Sequence, residues 1–158
     1  MAFPFVPEEI IDQVAVRMSE SGEDYTQVVE ELETHQPVLL SYLLSENFKL
    51  LTQDEQAYLL YLALVIWQST QIVQRTAFPI ETDLIESKEE ANWVLLHASK
   101  ARRFKERLDG FFDNTTQEDL LAFIEDALIE EEEDNFVTKE GKELLFIGLK
   151  TVVDCLTD

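Results

Sequence analysis

The stretch Ala57-Tyr58-Leu59-Leu60-Tyr61-Leu62-Ala63-Leu64-Val65-Ile66-Trp67 contains no polar residue that could face water along a full helix surface. It follows Thr52 and Glu55, which stand at the spacing of a capping box, in which side chains and backbone donors satisfy one another reciprocally. A helix that is apolar on every side has to be surrounded by other elements. The sequence therefore predicts a central post over about residues 53–76, ended before Phe78-Pro79, with the remaining helices packed around it.

Helix signals recur along the rest of the chain, and strand alternation is nearly absent. Pro7 suits a first helical position, and Ile10, Ile11, Val14 and Met18 form one apolar stripe up to Ser21-Gly22. A second helix is expected from about Tyr25 to Thr34, and a short third one from Val38 to Ser45 after Pro37. A fifth helix is expected to open on a Ser87/Glu90 capping box, run to about Leu108 and stop at Asp109-Gly110. Thr115 and Glu118 would open a sixth. The last would start near Thr138, with Leu145, Leu149, Val152 and Leu156 on one face. The expected fold is all-α: a single domain over residues 1–158, with six or seven helices in a bundle or orthogonal array. Its 158 residues suffice for a real core.

Charge bounds the partners. The formal net charge is −21, which keeps the chain soluble but opposes contact with phosphate backbones or anionic lipid. Neither a nucleic-acid nor a membrane partner is expected, and a basic protein is the natural one. The apolar run is too short to span a bilayer. A single cysteine, Cys155, rules out an intrachain disulfide and a multi-thiolate zinc site, and fits a reducing cytoplasm. At a helix C-terminus beside Asp154, its thiol should be harder to ionise, not easier.

Catalytic patterns are missing. The position three residues before each histidine is Leu32 for His35 and Val94 for His97, so no Glu-x-x-His pair of a di-iron bundle exists. Glu31 and His35 share a helix face and read as a surface pair. His97 reads as a core histidine on the stripe of Trp93, Ala101, Phe104 and Leu108. Hydrolase, phosphate-loop, dinucleotide and EF-hand patterns are absent. No cofactor and no metal site is expected.

Charge clustering stands out instead. Five of the twelve basic residues fall in Lys100–Arg107, and seven acidic residues fall in Glu125–Asp134. If helices five and six formed an antiparallel hairpin, Lys100 would lie near Glu125. Glu130, Glu131, Glu132, Glu133 and Asp134 would then gather with Glu89 and Glu90 as an acidic pole, a candidate site for a basic partner surface or a divalent cation. Phe3, Phe5, Phe111 and Phe112 form a second feature, a candidate homodimer contact. The sequence thus points to a non-enzymatic cytoplasmic interaction protein, an adaptor or inhibitor engaging a basic partner. The alternative is a small helical metal- or ligand-binding protein or enzyme. It would bring Glu31 or Glu90 together with His35 or His97 in a cleft between helices.

Overall fold

A computed structural model describes residues 3–129 and 137–158, and among these the fold is all-α. Helices α1 (Glu8–Glu20), α2 (Gly22–His35) and α3 (Pro37–Leu43) lead to a 3₁₀ turn at Glu46–Phe48. Then come α4 (Gln53–Val73), α5 (Thr82–Ala98), two short segments α6 (Phe104–Arg107) and α7 (Asp109–Asp113), α8 (Glu118–Ile129) and α9 (Lys139–Thr157). Among the described residues, no helix is long and apolar enough to cross a membrane.

The capping box at Thr52 and Glu55 is formed, with the Thr52 N–H donating to Glu55 Oε1 at 2.9 Å and the Glu55 N–H donating to Thr52 Oγ1 at 3.1 Å. The apolar run behind it is the expected post, and every residue from Leu62 to Trp67 is buried. The post has a companion. Helix α9 is buried without a break from Leu145 to Val153, although its sequence reads as apolar on one face only. Gly148 explains how the two fit: a Cβ there would stand 2.9 Å from the Phe48 ring and 3.3 Å from Leu59. The missing side chain lets α9 settle against α4. Helices α1 and α8 cover other sides of this pair, and α5 lies along α9. Tyr58 and Tyr61 of α4 reach outward, donating to the Ala127 carbonyl of α8 and the Ala15 carbonyl of α1.

Several boundaries differ from the sequence expectation for identifiable reasons. Pro7 is the N-cap of α1 instead of its first residue. Pro37 does occupy the first turn of α3, where its missing N–H costs nothing. Helix α4 stops at Val73, three residues early, because Gln71 folds back on the chain: its carbonyl accepts from the Thr76 N–H and its amide donates to Thr76 Oγ1. The connection to α5 is pinned by Gln36, which donates to the Phe78 carbonyl at 3.1 Å and accepts from the Ile80 N–H at 2.7 Å. That pinning starts α5 at Thr82, not at Ser87, and buries Ile80 and Ile85.

The expected helix from Ser87 to Leu108 is broken. The chain turns extended at Ser99, whose hydroxyl accepts from the Ala101 N–H. Asp109-Gly110 then opens α7 instead of ending a helix. The principal neighbours of α5 are α9, α3 and α7, while those of α8 are α9 and α1. The break thus replaces the expected hairpin, and each half is laid on α9.

The close packing at Gly148 is testable against Gly22, where an added Cβ meets nothing within 4 Å. Gly148→Ala is expected to destabilise the protein by about 1–3 kcal/mol through overpacking. Gly22→Ala should be neutral or stabilising by up to about 0.5 kcal/mol. Urea unfolding of the two variants checks both values.

Candidate functional site

The most constrained polar group is the Glu55 carboxylate, which is fully buried. One oxygen caps α4 through Thr52; the other accepts from the Thr138 N–H at 2.8 Å and Thr138 Oγ1 at 3.0 Å. Thr138 in turn accepts from the Gly141 N–H and caps α9. A Cβ on Gly141 would collide with the Glu55 carboxylate. One side chain therefore ties together the starts of the two central helices, where the dipoles favour negative charge. Burial pushes the Glu55 carboxyl up, but the hydrogen bonds from Thr52 and Thr138 outweigh it and hold the group below the usual glutamate range. This role is architectural.

A second polar group lies between α5 and α9. Asn92 Nδ2 donates to Thr151 Oγ1 at 3.3 Å and to Asp154 Oδ2 at 3.0 Å, and Lys150 pairs with Asp154. Lys150 also lies 5.9 Å from the centre of the Phe111 ring. Tyr42 of α3 points toward the same region: burial, then the adjacent Glu89, raise its phenol well above the usual range. The Asn92, Thr151, Lys150 and Asp154 contacts fix the register of α5 on α9, whereas the buried Tyr42 hydroxyl has no hydrogen-bond partner.

Glu130, Glu131, Glu132, Glu133 and Asp134 lie outside the described residues. Glu89 is half-buried and Glu90 exposed, and both line a shallow depression on the outside of α5 with Glu86, Trp93 and His97. His97 is exposed and tilted against Trp93, with ring centres 5.4 Å apart, so it is not a core histidine. Its expected stripe assumed one continuous helix, and the break at Ser99 sends Phe104 and Leu108 inward without it.

The cations are used elsewhere than expected. Arg107 pairs with Glu143 of α9 and also reaches the Leu96 carbonyl at the end of α5, while Lys88 pairs with Asp158 at 2.9 Å. Glu125 feels Lys105, not Lys100, although burial is the larger influence and leaves its carboxyl raised. All the ion pairs among the described residues run between the α5–α6 region and α9 or within α9.

Helices α1 and α2 receive none of them. Nine carboxylates lie between Glu8 and Glu33 against one cation, Arg17. Glu8, Glu9, Asp12, Glu20, Glu23, Glu30 and Glu33 are all exposed. This face was not singled out in the sequence because its charges are spaced along amphipathic helices and form no dense run. The ratio of nine to one was the available signal.

The aromatic residues separate as well. Phe111 is 1 % exposed and packs edge-on to Phe146 at 4.7 Å, so its ring offers no surface. Phe3 and Phe112 are half-buried against the core, and Phe5 alone of the four is largely exposed, at 48 %. Val6 is buried, and Gln117 holds its N–H and the Pro4 carbonyl.

Glu31 and His35 do share a cleft, formed where α2 ends beside the last turns of α4. Among the described residues, no group of three His, Cys, Asp or Glu side chains is placed to hold a metal ion. Comparisons with protein-family models, with curated proteins and with solved structures find no match to this chain.

Two outcomes follow from the buried groups. Because the Glu55 carboxyl is lowered in the folded state, its contribution is complete above the unfolded value near 4.5 and is lost as pH falls through the folded value. Glu55→Gln is expected to cost about 1–3 kcal/mol at neutral pH, with the gap to wild type closing on acidification below about pH 4. Urea melts across that range measure it. For Cys155, burial and then Asp154 push the thiol up to about 12. Native protein should resist thiol reagents at neutral pH and react fully once unfolded, as a colorimetric thiol assay will record.

Proposed function

We propose that this protein is a non-enzymatic interaction module whose acidic surface engages a basic protein partner. The observation that carries the reading is the charge of α1 and α2, which together hold nine carboxylates and a single Arg17 and take part in no ion pair among the described residues. Such an excess of unpaired carboxylates on neighbouring helices creates a negative potential that steers a positively charged surface toward them. Glu89 and Glu90 on α5, and Glu130 to Asp134 by sequence, extend the acidic character. A cytoplasmic setting is consistent with the buried free thiol of Cys155.

An oligolysine peptide serves as a defined basic probe. Its affinity, measured by titration calorimetry, should fall steeply from low to high salt. Changing Glu20, Glu23, Glu30 and Glu33 to Gln should weaken it about tenfold at low salt, since each exposed pair is worth a few tenths of a kcal/mol. Neutralising Glu46, Glu86, Asp113 and Glu140, which are scattered over other elements, should weaken it less. Equal losses from the two sets would mean that net charge, not this face, does the binding. A salt-independent affinity would remove the reading altogether.

A further inference from the structure

The cleft between the end of α2 and the end of α4 has a volume of about 530 Å³ and combines opposite charges. Glu31 and His35 contribute from α2, Trp67 and Gln68 from α4, and Arg75 from the segment that follows. Neither Glu31 nor Arg75 takes part in the ion pairs found among the described residues. Gln71 and Gln36, which also border the cleft, are committed to Thr76 and to Phe78 and Ile80, so they act as rigid wall. Trp67 is 3 % exposed, and its indole N–H has no acceptor. A buried donor without a partner is rare in a folded protein and calls for an explanation.

Three ligand chemistries can be weighed. A simple anion would match Arg75 and His35, but it would enter against the field of a chain carrying −21. It would also face Glu31 and the negative dipole ends of α2 and α4. A simple cation would be drawn to carboxylates all over the surface and would leave Arg75 opposed. A molecule carrying both charges avoids each penalty. Its carboxylate can take the planar donor fork of a guanidinium, and its ammonium can face Glu31 and the helix ends.

We propose that the cleft bounded by Glu31, His35, Trp67 and Arg75 is a binding site for a small zwitterion of the amino-acid class, with its carboxylate on Arg75 and its ammonium on Glu31. The volume suits such a ligand, as small-molecule sites run to roughly 300–1,000 Å³. Glu31 is one of the nine carboxylates of α1 and α2 but is left unchanged in the oligolysine experiment, and that probe offers no carboxylate to Arg75, so either proposal can fail without the other.

The test uses the full chain carrying Trp93→Phe, which leaves Trp67 as the sole indole. The common amino acids are added one at a time at millimolar concentration, and Trp67 emission and thermal melting are followed. At least one amino acid should change the emission and raise the melting temperature, at low and at high salt alike. Its N-acetyl derivative, and the amine lacking its carboxylate, should each bind about tenfold or more weakly. Arg75→Gln and Glu31→Gln should each impose a similar loss while leaving the helical circular dichroism unchanged. No response to any amino acid overturns the proposal. So does binding that survives both substitutions, or a plain carboxylate such as acetate binding as tightly as the amino acid.

Discussion

The fold depends on one carboxylate placed where carboxylates are rarely left. Glu55 is fully buried at the point where α4 and α9 both begin, and each of its oxygens answers backbone donors that a helix start cannot satisfy internally. Because the two starts meet there, and Gly148 further along α9 lies against Leu59 further along α4, the central helices run in the same sense. Parallel neighbours bring like dipole ends together, and a shared anion at the positive end offsets that repulsion. The arrangement leaves no space for a side chain at Gly141, so carboxylate and glycine form one device.

Around that pair, the outer helices bury apolar stripes in the common core, and hydrogen bonds from buried and half-buried polar side chains fix how they sit. Tyr58 and Tyr61 fasten α8 and α1 through single carbonyls. Gln36 and Gln71 fold the α4–α5 connection against the ends of α2 and α4, and the same two amides stiffen the wall of the Trp67 cleft. Asn92 and Thr151 lock α5 on α9. The cations are drawn into this framework through Arg107, Lys88 and Lys150. What remains on α1 and α2 is an excess of negative charge that enters none of the ion pairs among the described residues.

The all-α class, the Thr52/Glu55 start and the buried post could be read directly, because a capping box and an uninterrupted apolar run depend only on neighbouring residues. The equal burial of α9 could not. Its sequence carries Lys150, Thr151 and Asp154, and they read as a polar face until Asn92 and Phe111 arrive from distant positions to receive them. The break at Ser99 was hidden for a similar reason: Phe104 and Leu108 continue the helical spacing of Trp93, yet Arg107 bonds Leu96 and Glu143 and folds the segment back. His97 was misplaced with that break. Glu31 and His35 could be paired by spacing, but their meeting with Trp67 and Arg75 joins segments more than thirty residues apart in the chain. No local pattern encodes it.

The first described residues carry a consequence of their own. Gln117 offers one acceptor and one donor to the backbone of Pro4 and Val6, as an adjacent β-strand would, and Val6 fills a space in the core beside the start of α8. Within this segment Val6 belongs to the interior, while Pro4 and Phe5 on the same strap stay exposed. Shortening the chain past Val6 would open a void and strand the Gln117 amide together. Because one side chain supplies both backbone bonds, any change that moves the Gln117 amide breaks the two together.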